Sequence, residues 1–163
     1  MALKRLLNEL KDIKKDPNYF YSLNFNEDNM FIWDFSIIGP PDTLYEGGIF
    51  DGTIYFTSDY PNTPPKVKFN NILHPNIFPT GEVCISILHS GTDVYGYEKD
   101  SERWNPSQSI NSIMLSIVSM LSAPNFESPA NVNAGVMWKD SPEKCNCILL
   151  NLLWVHIIYF QSL

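Results

Sequence analysis

The 163-residue chain has little cysteine: only Cys84, Cys145 and Cys147 occur. An odd, small set with no secretory leader predicts a reducing setting, cytoplasmic or nuclear, and not a disulfide framework. The Cys145-Asn146-Cys147 spacing is too tight for a metal pair and no His/Cys partner set supports it, so no metal is expected. Positive charge is also short. Eleven Lys and Arg stand against eighteen Asp and Glu, a formal net charge of −7, which argues against nucleic acid as the main ligand. No internal repeat or low-complexity tract appears. Charge of either sign is absent from residues 145–163. Within that tail, Ile148–Phe160 is apolar apart from Asn151 and His156. Thirteen such residues make roughly 20 Å of helix, short of a hydrocarbon core of about 30 Å. A membrane tail anchor therefore ranks behind an aberrant or alternatively spliced end and behind a helix packed on the domain.

What is present fits a packed globular domain: 44% hydrophobic and 13% aromatic residues. Its length suits one domain. Charge is uneven. Residues 1–15 carry Lys4, Arg5, Lys11, Lys14 and Lys15 against Glu9 and Asp12. Residues 93–102 carry Asp93, Glu98, Asp100 and Glu102 against Lys99 alone. A basic end and an acidic loop suit protein partners read electrostatically, although either run also serves as a solvated face.

Leu3, Leu6, Leu7, Leu10 and Ile13 form one helical stripe over 2–15, ended by Asp16-Pro17. Alternation predicts strands at 30–38 and 49–57, with a short run at 66–69 and an irregular strand near 19–25. Residues 109–124 place Ile110, Ile113, Met114, Ile117, Val118 and Leu121 at helical spacing. Ser107 or Ser109 is the N-cap and Pro124 the stop. Residues 129–138 predict a short helix opening with Pro129 at its first turn. The class is α+β: an N-terminal helix, a four-stranded antiparallel meander, a buried central helix and C-terminal helices.

Chemistry centres on His74–Leu88, "HPNIFPTGEVCISIL". A free Cys before Ile is ordinarily a small buried hydrophobe. Here Pro75 stiffens a His74-Pro75-Asn76 turn shortly before Cys84. The Asn76 amide is a potential oxyanion donor. His74 is either a general base or a structural imidazole, and its proline neighbour favours the second. A cysteine hydrolase is disfavoured, since no well-placed His with an Asn or Asp accompanies Cys84.

"HPNIFPTGEVCISIL", "ERWNPSQSI", "GPPDTLYEGGIF", "YPNTPPKVKF" and "MLSAPNFESPANV" all occur along the chain. Together they resemble the ubiquitin-conjugating (E2, UBC-fold) enzymes over residues 1 to about 140, leaving 141–163 as an atypical tail. The extended loop at 89–103 is most similar to the G-type class. The resemblance implies that Cys84 accepts ubiquitin as a thioester from an activating enzyme (E1). A ligase (E3), expected to be of RING type, then helps pass it to lysines of protein substrates, building degradation-type chains. It implies that Asn76 supports the oxyanion or holds the loop. Ser128 falls where many members carry Asp, which weakens a proton-handling role there. Tyr60, Pro61 and Asn62 match the first ligase loop, although Asn62 replaces a frequent Phe. Trp104, Asn105, Pro106 and Ser107 match the second loop. Lys4, Arg5 and Lys11 would meet E1 and E3. No cofactor is expected in the chain itself, because ATP binding belongs to E1 upstream. Conjugation of another ubiquitin-like modifier, or a non-catalytic ubiquitin-binding module, are the alternatives; the latter sits badly with Cys84 and an intact turn.

Overall fold

A computed structural model describes residues 1–26 and 28–141. Residues 142–163, the tail beyond Ser141, lie outside the described residues. α1 spans Ala2–Lys15 and buries Ala2, Leu6 and Glu9, leaving Leu3 and Leu7 half exposed. Four antiparallel strands follow in sequence order: β1 (Tyr21–Asn26), β2 (Asn29–Ile38), β3 (Ile49–Tyr55) and β4 (Lys66–Phe69). β3 stops at Tyr55, two residues short of the expected Thr57, although Phe56 N–H still donates to Phe31 O.

Alternation sets the sheet's two faces. Trp33, Phe35 and Ile37 point inward from β2, and Phe50 and Ile54 from β3. Gly52 sits between Phe35 and Phe69 in register. Those rings meet edge to face, 5.0 Å between centroids. A Cβ on Gly52 would lie 2.4 Å from the Phe35 ring and from the Lys68 carbonyl oxygen. Glycine here makes room for the aromatic packing and the neighbouring strand.

α2 (Ile110–Ser122) packs its Ile, Met and Val positions on this face. Ser109 is its cap, with a capping box closed by Ser112. The helix is buried on one side only: Asn111, Leu115 and Ser119 remain open. α3 (Val132–Asp140) starts later than expected. Its cap is Asn131, whose side chain accepts from Ala134 N–H, so Pro129 lies in the preceding loop. The Asn oxygen satisfies an end-of-helix donor that proline's fixed ring would not. Among the described residues, no helix is long and apolar enough to cross a membrane.

Candidate active site

Three backbone segments fix Cys84. After the His74-Pro75-Asn76 turn, residues 77–83 fold back on themselves, with Ile77 bridged to Val83 and Phe78 N–H donating to Glu82 O. Gly81 turns the chain at φ +89, where a Cβ would strike Phe69 O at 2.2 Å. Only glycine takes that conformation so close to β4. The hairpin joins β4 through Phe69 N–H to Gly81 O and Val83 N–H to Val67 O. Cys84 N–H then donates to Asn76 O at 3.0 Å. The cysteine is thus tied to the turn and, one residue away, to the sheet.

His74 is a structural imidazole. It is fully buried, with Nε2 3.1 Å from Met120 O in α2. Its Nδ1 accepts from Asn76 N–H at 2.9 Å. That bond leaves Nε2 as the protonated nitrogen donating to Met120. Tyr45 and Trp138 pack on its ring. Burial lowers its pKa to about 4, only partly opposed by the Met120 carbonyl. The ring is neutral at physiological pH, and both its nitrogens are engaged by backbone groups instead of by Cys84.

Asn76 holds the loop between α2 and α3. Its Nδ2 donates to Asn125 O and its Oδ1 accepts from Asn125 N–H, both at 2.8 Å. Further along, Asn131 N–H donates to Pro75 O. The segment carrying Ser128 is therefore pinned at both ends to the His-Pro-Asn turn. Ser128 is exposed on the wall of a cleft of about 930 Å³ that Cys84 and Asn76 also line.

Cys84 is half-buried, and it is the one free cysteine among the described residues. Burial raises its pKa, and the nearby Glu98 and Glu82 charges add to the rise. The resting group is a thiol.

The expectation that no well-placed His with an Asn or Asp accompanies Cys84 needs one amendment: a His paired with a Glu stands beside it. His89 Nε2 lies 3.6 Å from Cys84 Sγ. His89 Nδ1 lies 2.9 and 3.0 Å from the two Glu98 oxygens. Glu98 also accepts from Ser86 Oγ and is paired with Arg103. Burial opposes its charge, but hydrogen bonds from His89 and Ser86, together with the Arg103 charge, outweigh it and hold the carboxyl below its usual range. Arg103 further donates to Ser90 O and Gly91 O, and Trp104 N–H donates to His89 O. The acidic loop is thereby closed at its base. Its four acids play different parts. Asp93 accepts from the N–H groups of Tyr95, Tyr97 and Glu98, and these bonds lower its pKa. Glu98 faces inward. Asp100 and Glu102 stay exposed, with Lys99 3.9 Å from Glu102.

The partner-surface residues divide in the same way. Lys4, Lys11, Asn62, Pro106 and Ser107 are exposed or partly so, as are Pro61 and Asn105. Tyr60 and Trp104 are buried pins instead of contact residues. Tyr60 donates to Glu9 at 2.7 Å, and Trp104 Nε1 donates to Pro61 O at 2.8 Å. Arg5 is turned inward on Glu9, Pro106 O and Gln108 O.

The family model described as "Ubiquitin-conjugating enzyme" matches residues 5–149. The chain is 53% identical over 142 residues to "Ubiquitin-conjugating enzyme E2 13" of Arabidopsis thaliana, covering 85% of this chain and 86% of the relative. It is 51% identical to "Ubiquitin-conjugating enzyme E2 15" of Schizosaccharomyces pombe, covering 85% of each. With human "Ubiquitin-conjugating enzyme E2 G2" it shares 49% over 146 residues, 88% of each chain.

Proposed function

The chain belongs to the ubiquitin-conjugating enzymes, and on that premise we propose that Cys84 takes the ubiquitin C-terminus from E1 as a thioester and yields it to lysine amines. The observation that carries this reading is the placement of Cys84. The backbone of Cys84 is held by the Asn76 carbonyl, and its side chain lines an open cleft of about 930 Å³. Aminolysis of a thioester is downhill, so the site must mainly position and desolvate the amine. Asn76 fits the positioning role, because its amide fixes the wall opposite Cys84. Ser128 on that wall has no carboxylate with which to accept a proton.

Membership implies ubiquitin, E1 and an E3 as partners. We place a RING-type ligase on the exposed edge formed by Pro61, Asn62, Asn105, Pro106 and Ser107. We assign degradation-type chains as the product. The test is a charging reaction with E1, ATP and ubiquitin. Cys84 should form an adduct cleaved by reductant. Cys84→Ser should give a reductant-resistant oxyester, and Cys84→Ala no adduct. Persistence of a reducible adduct in Cys84→Ala would sink the assignment. Replacing ubiquitin by another ubiquitin-like modifier, with its own activating enzyme, tests the alternative cargo.

A further inference from the structure

Cys84 has an ionisable neighbour that the reading above does not use. His89 Nε2 stands 3.6 Å from Sγ, and Nδ1 stands against both oxygens of Glu98. An ionised carboxylate only accepts, so Nδ1 must carry the hydrogen. The neutral ring then presents the Nε2 lone pair to the thiol. Glu98 is fixed in this pose by Ser86 and Arg103. Arg103 is itself anchored on two loop carbonyls. The pieces form a chain of contacts from loop base to sulfur, with the tautomer set by geometry.

We propose that His89 accepts the Cys84 proton during charging, with Glu98 as the positioning residue that fixes its tautomer and balances the imidazolium. This rests on the thioester reading. As Sγ attacks the ubiquitin carbonyl on E1, its proton passes to Nε2. The Sγ–C bond forms and the bond from that carbon to the E1 sulfur breaks. The imidazolium then returns the proton to the departing thiolate, and no electron leaves the system. The resting thiol, held protonated by burial and by Glu98 and Glu82, gives the relay its purpose.

Other charges face the pair. Lys66 and Glu82 line the small cleft on the β4 side of Cys84 and His89. Asp93, Glu102, Arg103 and Glu127, with the Tyr97 phenol, line the large cleft on the other side. Among the described residues, His89 is the side chain within hydrogen-bonding reach of Sγ. The backbone role of His89, accepting from Trp104 N–H, survives any side-chain change.

The experiment follows alkylation of Cys84 by iodoacetamide, read by peptide mass spectrometry, across about pH 6–10 in the wild type, His89→Gln and Glu98→Gln. General bases typically give a hundredfold or more, and a thiol, being more acidic than most substrates, needs less; about tenfold slower reaction of His89→Gln near pH ~7 is expected. The gap should close near about pH 10, where hydroxide removes the proton directly. Glu98→Gln should fall between. The wild-type profile should flatten below about pH 8 instead of falling tenfold per unit; this readout does not depend on a variant folding. A strict first-order dependence on hydroxide in the wild type, or an equal deficit of His89→Gln at every pH, would overturn the relay. Charging by E1, ATP and ubiquitin is measured on the same samples. If the alkylation profile holds while no reducible adduct forms, the thioester reading fails and the proton transfer to His89 stands. A reducible adduct with a plain hydroxide profile overturns the relay and leaves the thioester reading intact.

Discussion

Asn76 commits both ends of its amide to Asn125, so truncating it removes two hydrogen bonds from a part-buried loop contact. Such bonds contribute about 1 kcal/mol each. Asn76→Ala should therefore lose about 2 kcal/mol of stability and discharge to free lysine more slowly, while charging suffers less. Asn76→Asp keeps the acceptor for Asn125 N–H and loses the donor, so it should fall between. Unequal loading and discharge in a single-turnover assay would mark the loop role; equal small effects would refute it. His74 gives a second prediction at this scale. Its folded pKa of about 4 lies below the unfolded value of about 6.5. The neutral form is the one the fold prefers. Its stabilisation is complete above pH ~6.5 and is lost as pH falls toward 4. The His74 share of that loss between about pH 7.5 and 5 is about 2 kcal/mol. Urea midpoints at the two pH values check it: His74→Gln should be weaker at the upper value and show a flatter slope between them.

Between elements, Glu9 is the joint. One buried carboxylate accepts from Tyr60 OH, Ile110 N–H and Arg5, and so ties α1 to the loop before β4 and to the first turn of α2. Its position suits the positive end of the α2 dipole. Burial and the Glu9 charge drive the Tyr60 pKa far up, so the phenol remains a donor throughout the working pH range. Glu9→Ala would leave Tyr60 and Ile110 without that acceptor, at a cost of about 3 kcal/mol. In a double-mutant cycle with Tyr60→Phe, a coupling of about 1–2 kcal/mol is expected. Additive losses in thermal or urea unfolding would show that the two do not act together. This joint was hard to read in the sequence, because Glu9, Tyr60 and Ile110 lie far apart along the chain and none breaks a pattern. Alternation and the α2 stripe were legible, since burial of one face imposes periods of two and 3.6. Pro129 misled because an N-cap side chain outranked proline's preference for a first turn. Tyr60 and Trp104 sit in exposed-looking loops, yet their hydrogen-bonding tips reach inward. His89 was missed for a related reason. It acquires meaning only when Glu98, nine residues on, folds back under Arg103.

At the scale of the whole molecule, net charge is negative and the acid cluster stands beside the cleft. In the sequence Asp93, Glu98, Asp100 and Glu102 read as one patch. The fold separates them. Asp93 and Glu98 shape the loop through its backbone and His89, so their loss should disturb structure and charging at any salt concentration. Asp100 and Glu102 stay in solvent, where, on the proposed chain-building reading, a lysine-bearing second ubiquitin would meet them. Neutralising this pair alone, as Asp100→Asn with Glu102→Gln, should change stability by less than about 0.5 kcal/mol. Exposed charges each contribute a fraction of a kcal/mol, so chain building should slow by about twofold to fivefold at low salt. The gap should narrow toward unity as added salt shortens the screening length from about 10 Å at 0.1 M to about 3 Å at 1 M. Charging by E1 should be unaffected, since the thiol and its His89–Glu98 neighbours are untouched. Rates of chain growth and of charging, measured side by side across a salt series, separate the two roles. Unchanged growth at the lowest salt would mean that the outer acids only space the loop, leaving its inner half as the part that matters to Cys84.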